Sequence, residues 1–243
     1  MVLSGETRGL NCESGRPNWQ LIRVVNKQVI QMSSDQIRQP SGSEIEVAGA
    51  VLGRAFQDEP IFCAVIQEPD ERLDLCTLLF TANLRHAVRY GGVWVNGPNQ
   101  DTVKGVIYWV SKPEPELSND ELADLGYTPV FERWGEQLDR IGQMEEQAVR
   151  GLGPLKEPWC YLSGVGVDPD SQGQGYGSKL ITRLVATTFE MGTSCALVTD
   201  RERNVPLYER CGFQTVASGT TSVGNLRFWS MVAVPPNGKT KGG

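Results

Sequence analysis

The sequence predicts an α/β (α+β) protein in which helices flank a β-sheet. Long segments with apolar residues at helical spacing alternate with short runs that are rich in valine and isoleucine. At 165–180 an apolar strand passes through a glycine-rich loop into a helix. The 243 residues are enough for one well-buried core and short for two.

The N-terminal part predicts a strand or strand pair followed by a helix. Residues 19–32 are rich in valine and isoleucine, which favours strand. Two overlapping cap sequences then precede a helical apolar pattern that ends near Phe56. The second of them pairs Ser43 with Glu46 in a capping box, and Pro60 closes the segment.

The middle of the chain predicts three helices and a β-hairpin. Pro69 opens a helix whose apolar stripe stops at a glycine pair, and Thr128 precedes a proline at the first position of another. The predicted elements are a helix over 69–91, strands over 93–95 and 105–110, a short helix over 116–125 and a long helix over 128–148.

The C-terminal part predicts the remaining strands, together with two helices. A breaker-rich linker over 151–158 leads into it. The predicted elements are a strand over 159–167, a helix over 177–191, a strand over 196–199, a short helix capped by Asn204, and strands over 213–217 and 226–234. The ends of the chain, 1–18 and 236–243, are expected to be flexible.

The loop at 172–178 predicts an anion site. Its glycines at 173, 175 and 177 permit positive φ and close approach of a ligand. The first N–H groups of the following helix point back into the loop, where the helix dipole favours negative charge. The dinucleotide fingerprint does not fit, because its third glycine would fall on Ser178, and the chain has no P-loop run. A phosphate-like group is therefore the expected ligand.

Two spaced motifs resemble the signatures of the GNAT acetyltransferases. Residues 172–177, QGQGYG, fit the family's Q/R-x-x-G-x-G/A pattern, and Val167 to Pro169 fit the V-x-P before it. Residues 204–213, NVPLYERCGF, fit N-x-x-x-Y-x-x-x-G-F. Together with KEP at 156–158, they look like the group of the puromycin N-acetyltransferases. The resemblance is strong over 156–233 and looser over 45–112.

This resemblance implies a fold and an activity. The fold would be a mixed central sheet of about six to seven strands, splayed at the cofactor site and flanked by helices, with 19–235 as a single domain. The activity would be transfer of an acetyl group from acetyl-CoA to the amine of a small molecule, by direct attack in a ternary complex and without a metal. Acetylation of a protein N-terminus or lysine remains an alternative, as does a CoA-binding regulatory module without catalysis.

The resemblance also implies the site residues. Tyr208 would be the general acid that protonates the leaving thiolate, since tyrosine with a pKa of about 10 carries a proton at neutral pH; packing beside the cofactor is its alternative. Asn204 would bind a pantetheine amide, start the helix, or both. The expected cofactor-binding residues are Val165, Gly166, Val167, Gln172, Gly173, Gln174, Gly175, Tyr176, Gly177, Ser178 and Asn204.

Other candidates for chemistry have alternatives. Asp58, Glu59 and Glu157 are candidate general bases, although each also suits a solvated or structural carboxylate, and water is a further alternative. His86 is expected at the surface or in packing. Four aromatic residues, which can stack on a flat or cationic amine but also fit core periodicity, fall where the family builds its acceptor pocket. They are Trp94, Trp109, Phe131 and Trp134.

Composition narrows the function further. The net charge of −6, from 23 basic and 29 acidic residues without a basic run, disfavours nucleic acid as the main ligand. No stretch approaches a membrane span or a signal-peptide core, so a membrane partner is not expected. The irregular spacing of the six cysteines gives no zinc motif, and the expectation is reduced thiols and a cytoplasmic protein. They are Cys12, Cys63, Cys76, Cys160, Cys195 and Cys211.

Overall fold

The computed structural model describes residues 37–99 and 101–236. Within these ranges six strands form one mixed sheet with the order β1-β2-β3-β4-β6-β5. The strands are β1 Gly91–Asn96, β2 Gly105–Lys112, β3 Trp159–Val167, β4 Cys195–Thr199, β5 Gln214–Thr220 and β6 Arg227–Ala233. The helices are α1 Ile45–Phe56, α2 Pro60–Cys63, α3 Pro69–Tyr90, α4 Asn119–Leu125, α5 Thr128–Arg150, α6 Tyr176–Glu190 and α7 Val205–Arg210.

The sheet has one parallel junction in an otherwise antiparallel arrangement. The predicted hairpin is present, with β1 and β2 paired from Gly91–Val110 to Asn96–Gly105. Only β3 and β4 run parallel, and they are joined by the crossover that contains α6. The mixed sheet with its flanking helices confirms the predicted fold class.

The sheet separates two apolar layers. Because side chains alternate along a strand, β2 turns Val106 and Tyr108 to one face and Ile107 and Trp109 to the other. The first face is covered by α1, α3 and α5, and the second mainly by α6. Residues of both layers reach the gap between β3 and β4, where the candidate site lies.

The helix boundaries correct some details of the sequence-based expectation. The capping box lies at Ser41 and Glu44 rather than at Ser43 and Glu46, because a 3-10 turn over 42–44 precedes α1. The Glu44 carboxylate accepts the Ser41 N–H at 2.8 Å and is also ion-paired with Arg38. A charged partner therefore favours the earlier of the two overlapping caps.

Two further boundaries differ, and some expectations fall outside the described ranges. Pro60 begins the one-turn helix α2 instead of only ending the preceding segment. The helix expected from residue 116 begins at Asn119, because Ser118 and Glu121 form its capping box. The strand expected over 19–32, the segment 1–18 and residues 237–243 lie outside the described residues.

Candidate active site

The two parallel strands separate soon after they meet. Among the described residues, β3 and β4 pair only at Cys160–Cys195 and Tyr161–Ala196. A cleft of about 920 Å³ occupies the gap beyond these pairs, with residues 162–167 of β3 along one wall and 197–199 of β4 along the other. The splay expected from the family resemblance is therefore present. It leaves a strand edge without a sheet partner, which can bind an extended ligand.

β3 is irregular at this gap. Tyr108 pairs with Gly164 and Trp109 with Leu162, so that Ser163 is the extra residue of a β-bulge. A Cβ atom on Gly164 would lie 2.4 Å from the Tyr108 ring, and one on Gly166 would lie 2.8 Å from Leu52. Glycine is needed at both positions because neighbouring side chains cover them closely. β3 therefore combines a bulge with two closely covered glycines at the edge of the cleft.

The glycine-rich loop has a backbone suited to an anion. Gly173 and Gly175 have φ of 78° and 84°, whereas Gly177 lies inside α6 with helical geometry and does not need positive φ. Gly175 is the N-cap, so the N–H groups of the first turn have no acceptor within the helix. A Cβ atom at Gly173 would meet nothing within 4 Å. The loop thus offers donors around open space.

Most of the predicted cofactor-binding residues line this one cleft. Gln174 does not, since its side chain is exposed away from the wall. Gln172 donates its side-chain amide to the Val167 carbonyl at 3.3 Å and so ties the loop to the end of β3. The residues on the wall are Val165, Gly166, Val167, Gln172, Gly173, Gly175, Tyr176, Gly177, Ser178 and Asn204.

Asn204 lines the cleft but does not cap α7 through its side chain. It ends a 3-10 turn over 202–204 and already has helical dihedral angles, with φ of −85° and ψ of −21°. A capping side chain needs an extended backbone at the N-cap, which is absent here. The prediction of a side-chain cap is therefore wrong, and the amide remains available to the cleft.

Tyr208 is buried at the cleft with its hydroxyl unpaired. The ring is 9% exposed and packs edge-on against Phe213, with a centroid distance of 6.0 Å. No hydrogen bond of the hydroxyl occurs within the described part of the chain, and Tyr208 lines the cleft. Burial raises the pKa of this phenol well above its ordinary value, and the charges of Glu59 and Asp200 raise it further. The phenol therefore stays protonated at neutral pH.

Two carboxyl groups meet beside Tyr208. Glu59 and Asp200 both line the cleft, and Asp200 accepts the Ile61 N–H at 3.0 Å. Burial raises the pKa of each group, and the charge of Asp200 further raises that of Glu59. Arg201 is ion-paired with Glu59. Each of these carboxyl groups therefore keeps its proton to a higher pH than an exposed carboxyl group would.

Glu59 alone among the three candidate bases reaches the cleft. The Asp58 side chain is 75% exposed and faces Arg72 at 3.5 Å, while Glu157 is exposed and lies off the wall. The sequence reasoning did not identify Asp200. The sequence does contain one indication of its role, because Asp200 directly follows the parallel strand β4. Ligand sites of α/β proteins form at the carboxyl ends of such strands.

The far part of the cleft is aromatic and partly charged. His86 lies here rather than at the surface, and its Nε2 has no hydrogen-bond partner in the described structure. Burial lowers the pKa of His86. Aromatic residues from four elements line the same cleft, and residues of α5 complete the wall. We call this part of the cleft the aromatic chamber. Its lining residues include Phe56, Phe80, Tyr108, Tyr161, Ile141 and Glu145.

The four aromatic residues proposed for the acceptor pocket do not line the cleft. Trp94 and Trp109 pack against each other at 4.7 Å in the layer beneath α6. Trp134 is buried in the opposite layer, and Phe131 is 46% exposed and stacked on Tyr127. Packing, the alternative given by core periodicity, accounts for the three tryptophans.

No group of three or more metal-ligating side chains occurs within 37–99 and 101–236. In the same ranges no helix combines the length and apolar character needed to cross a bilayer. The five cysteines described are free thiols, and Cys12 lies outside the described residues.

Comparison with solved structures finds the same fold in several acetyltransferases. A Corynebacterium glutamicum protein, described as histone acetyltransferase HPA2 and related acetyltransferase, has a TM-score of 0.59 at 20% identity, covering 84% of this chain and 98% of its own. A Drosophila melanogaster polyamine N-acetyltransferase has a TM-score of 0.55 at 12% identity, covering 82% and 99%. An agmatine N-acetyltransferase has a TM-score of 0.57 at 12% identity, covering 83% and 100%.

A sequence profile agrees with the fold. Residues 112–213 match the profile of the acetyltransferase (GNAT) family. The matched stretch contains β3, the glycine-rich loop, α6, β4 and α7, which together form the splayed end of the cleft. This part of the chain, like the fold, is therefore similar to the acetyltransferase (GNAT) family.

Proposed function

We propose that the chain is an acetyl-CoA-dependent N-acetyltransferase that acts on the amine of a small molecule, by direct attack in a ternary complex. One observation carries the proposal. A single cleft joins the anion-binding loop, the unpaired edge of β3, the Tyr208 hydroxyl and an aromatic chamber beside two carboxyl groups. A thioester donor and an amine acceptor can therefore meet between the strands.

The cofactor-facing residues fit acetyl-CoA. N–H groups at 173–178 would bind the pyrophosphate, and open space lies where a side chain at Gly173 would otherwise project. The unpaired edge of β3 would bind the pantetheine arm as an added strand. Acetyl-CoA supplies the acetyl group as a thioester. An N–H within 165–167 would polarise its carbonyl, and losing one such donor typically costs ~10²–10³-fold in rate.

The acid and base roles follow from the same geometry. Tyr208 would donate its proton to the leaving thiolate, because burial keeps the phenol protonated. Glu59 would accept the proton of the amine, since it alone of the three sequence candidates borders the cleft. Asp200 would raise the pKa of Glu59, and Arg201 would hold the Glu59 carboxylate in place.

A small-molecule acceptor is favoured by the aromatic lining of the cleft. Two structural relatives are named for agmatine and polyamine acetylation, which supports the amine class. The motifs at 156–158, 172–178 and 204–213 support a position near the puromycin N-acetyltransferases. We also infer a single catalytic domain over 19–235 and a cytoplasmic location, the latter from the expectation of reduced cysteines.

Two measurements test the proposal. Acetyl-CoA at millimolar concentration should raise the melting temperature, because a ligand that binds the native state stabilises it, whereas NAD and ATP should do much less. Incubation with acetyl-CoA and a panel of small amines should then add the mass of one acetyl group to an amine. Binding without transfer would favour the regulatory module, and transfer only to peptides would favour the protein acetyltransferase. An unchanged melting temperature would remove the basis for acetyl-CoA.

A further inference from the structure

A carboxylate stands in the aromatic chamber without a basic partner. Glu145 lies on the face of α5 that lines the cleft, one turn after Ile141. The Tyr161 hydroxyl donates a hydrogen bond to Glu145 Oε1 at 3.0 Å. No lysine or arginine of the described residues is ion-paired with Glu145. The Tyr161 bond orients the carboxylate and leaves its second oxygen available.

Two other carboxylates of the cleft wall have basic partners. Glu114 is ion-paired with Lys112, and Glu146 is ion-paired with Arg150 at 2.6 Å. Glu145 differs because its only described partner is a neutral phenol, whose proton is retained since burial raises the Tyr161 pKa. Glu145 is exposed to the cleft, and its carboxylate lacks a counter-charge among the described residues. A cationic ligand group would supply that counter-charge.

The surrounding side chains suit an amine with an apolar middle section. Tyr108 and Tyr161 are buried next to Glu145, and Phe80 packs edge-on against Tyr108 at 6.3 Å. Tyr108 also covers Gly164 on the splayed strand, so the chamber is continuous with the proposed point of transfer. Aromatic faces stabilise both methylene chains and cations.

We propose that Glu145 binds a second cationic group of the acceptor, at the end remote from the amine that is acetylated. The acceptor class would be a diamine or an aminoalkyl guanidine rather than a monoamine. This inference rests on the proposed function and specifies which amines the same cleft would accept. Glu145 would determine the specificity for the acceptor, and Tyr161 would position the Glu145 carboxylate.

The test compares two acceptors of equal length, cadaverine and pentylamine, which differ only in the remote ammonium. Wild-type protein should prefer cadaverine by about tenfold in kcat/KM, as expected for a charge-assisted hydrogen bond. Glu145→Gln should remove this preference by lowering kcat/KM for cadaverine, with pentylamine changed less than about twofold. Glu136→Gln, an exposed change on the same helix and off the cleft wall, should keep it.

A binding measurement separates specificity from catalysis. Calorimetry without acetyl-CoA should show that Glu145→Gln weakens cadaverine binding, and that Tyr161→Phe weakens it to a smaller extent. Equal kcat/KM for the two amines in the wild type would overturn the inference while leaving the proposed function intact. So would a Glu145→Gln protein with unchanged preference. Acetyl transfer to no amine at all would instead contradict the proposed function.

Discussion

Arg201 is ion-paired with Glu59, a residue 142 positions earlier in the chain. The same guanidinium donates to the Asp58 carbonyl. The turn that follows α1 is thereby joined to the turn that follows β4, and both turns border the cleft. On the Glu59 side, the buried Arg72 donates to the Gln57 and Ile66 carbonyls and stabilises the turn. The proposed base is thus held by contacts remote in sequence.

The first prediction concerns pH. If Glu59 must be ionised to accept a proton, kcat/KM falls as the pH drops through its pKa. Burial raises that pKa above the ordinary glutamate value, and the Asp200 charge raises it further. Asp200→Asn keeps an acceptor for the Ile61 N–H but removes the charge. The acidic limb of kcat/KM should therefore move to lower pH, as measured by steady-state kinetics across pH.

The same shift has a consequence for stability. Because the native state holds the Glu59 proton more tightly than the unfolded chain, ionisation costs stability as the pH rises from the ordinary glutamate value through the raised pKa. Asp200→Asn should reduce this loss.

An acidic limb of kcat/KM that stays in place in Asp200→Asn would show that Glu59 is not the titrating base.

The second prediction concerns Tyr208→Phe, which keeps the ring contact with Phe213 and removes only an unpaired hydroxyl. We expect kcat to fall by ~10²–10⁴-fold, the range for general acid catalysis, with little change in melting temperature or acetyl-CoA affinity. The loss should be smaller for a thioester of a more acidic thiol, which leaves with less protonation. Near-wild-type kcat with chemistry rate-limiting would make Tyr208 a packing residue.

The third prediction contrasts two glycines of the loop. Gly175→Val should weaken acetyl-CoA binding sharply, because a φ of 84° disfavours a β-branched residue. Gly177→Ala serves as the matched control, since Gly177 is helical and its Cβ would meet Val167 Cγ2 at 3.4 Å, a van der Waals distance that requires no movement. Calorimetric titration with CoA measures both. Equal affinities in the two variants would place the pyrophosphate elsewhere.

The fourth prediction concerns Gly142, which lies in the interior of α5. A Cβ atom there would meet nothing within 4 Å. Since glycine is less favourable than alanine in a helix by about 1 kcal/mol, Gly142→Ala should raise the free energy of unfolding by about 0.5–1 kcal/mol. Thermal and denaturant unfolding measure this change. A lower stability would mean that the methyl group meets a neighbour in solution.

The sequence by itself determined the order and type of the elements with strong local signals. Apolar stripes predicted α1, α3, α5 and α6, because one helical face must be buried. Glycine and proline at boundaries predicted where several helices end. The motifs at 172–177 and 204–213 predicted the fold, which the structure confirms. The roles of the residues named from those motifs, Tyr208 among them, stay predictions.

The tertiary structure decided which side chains share the cleft. Local patterns report burial but not the face of the sheet, and so Trp94 and Trp109 could not be separated from Tyr108 until the strands were paired. Likewise, Glu59 and Asp200 come together only because the turns after α1 and β4 meet. Contacts between residues far apart in sequence depend on the packing of the whole sheet, which no local window of residues contains.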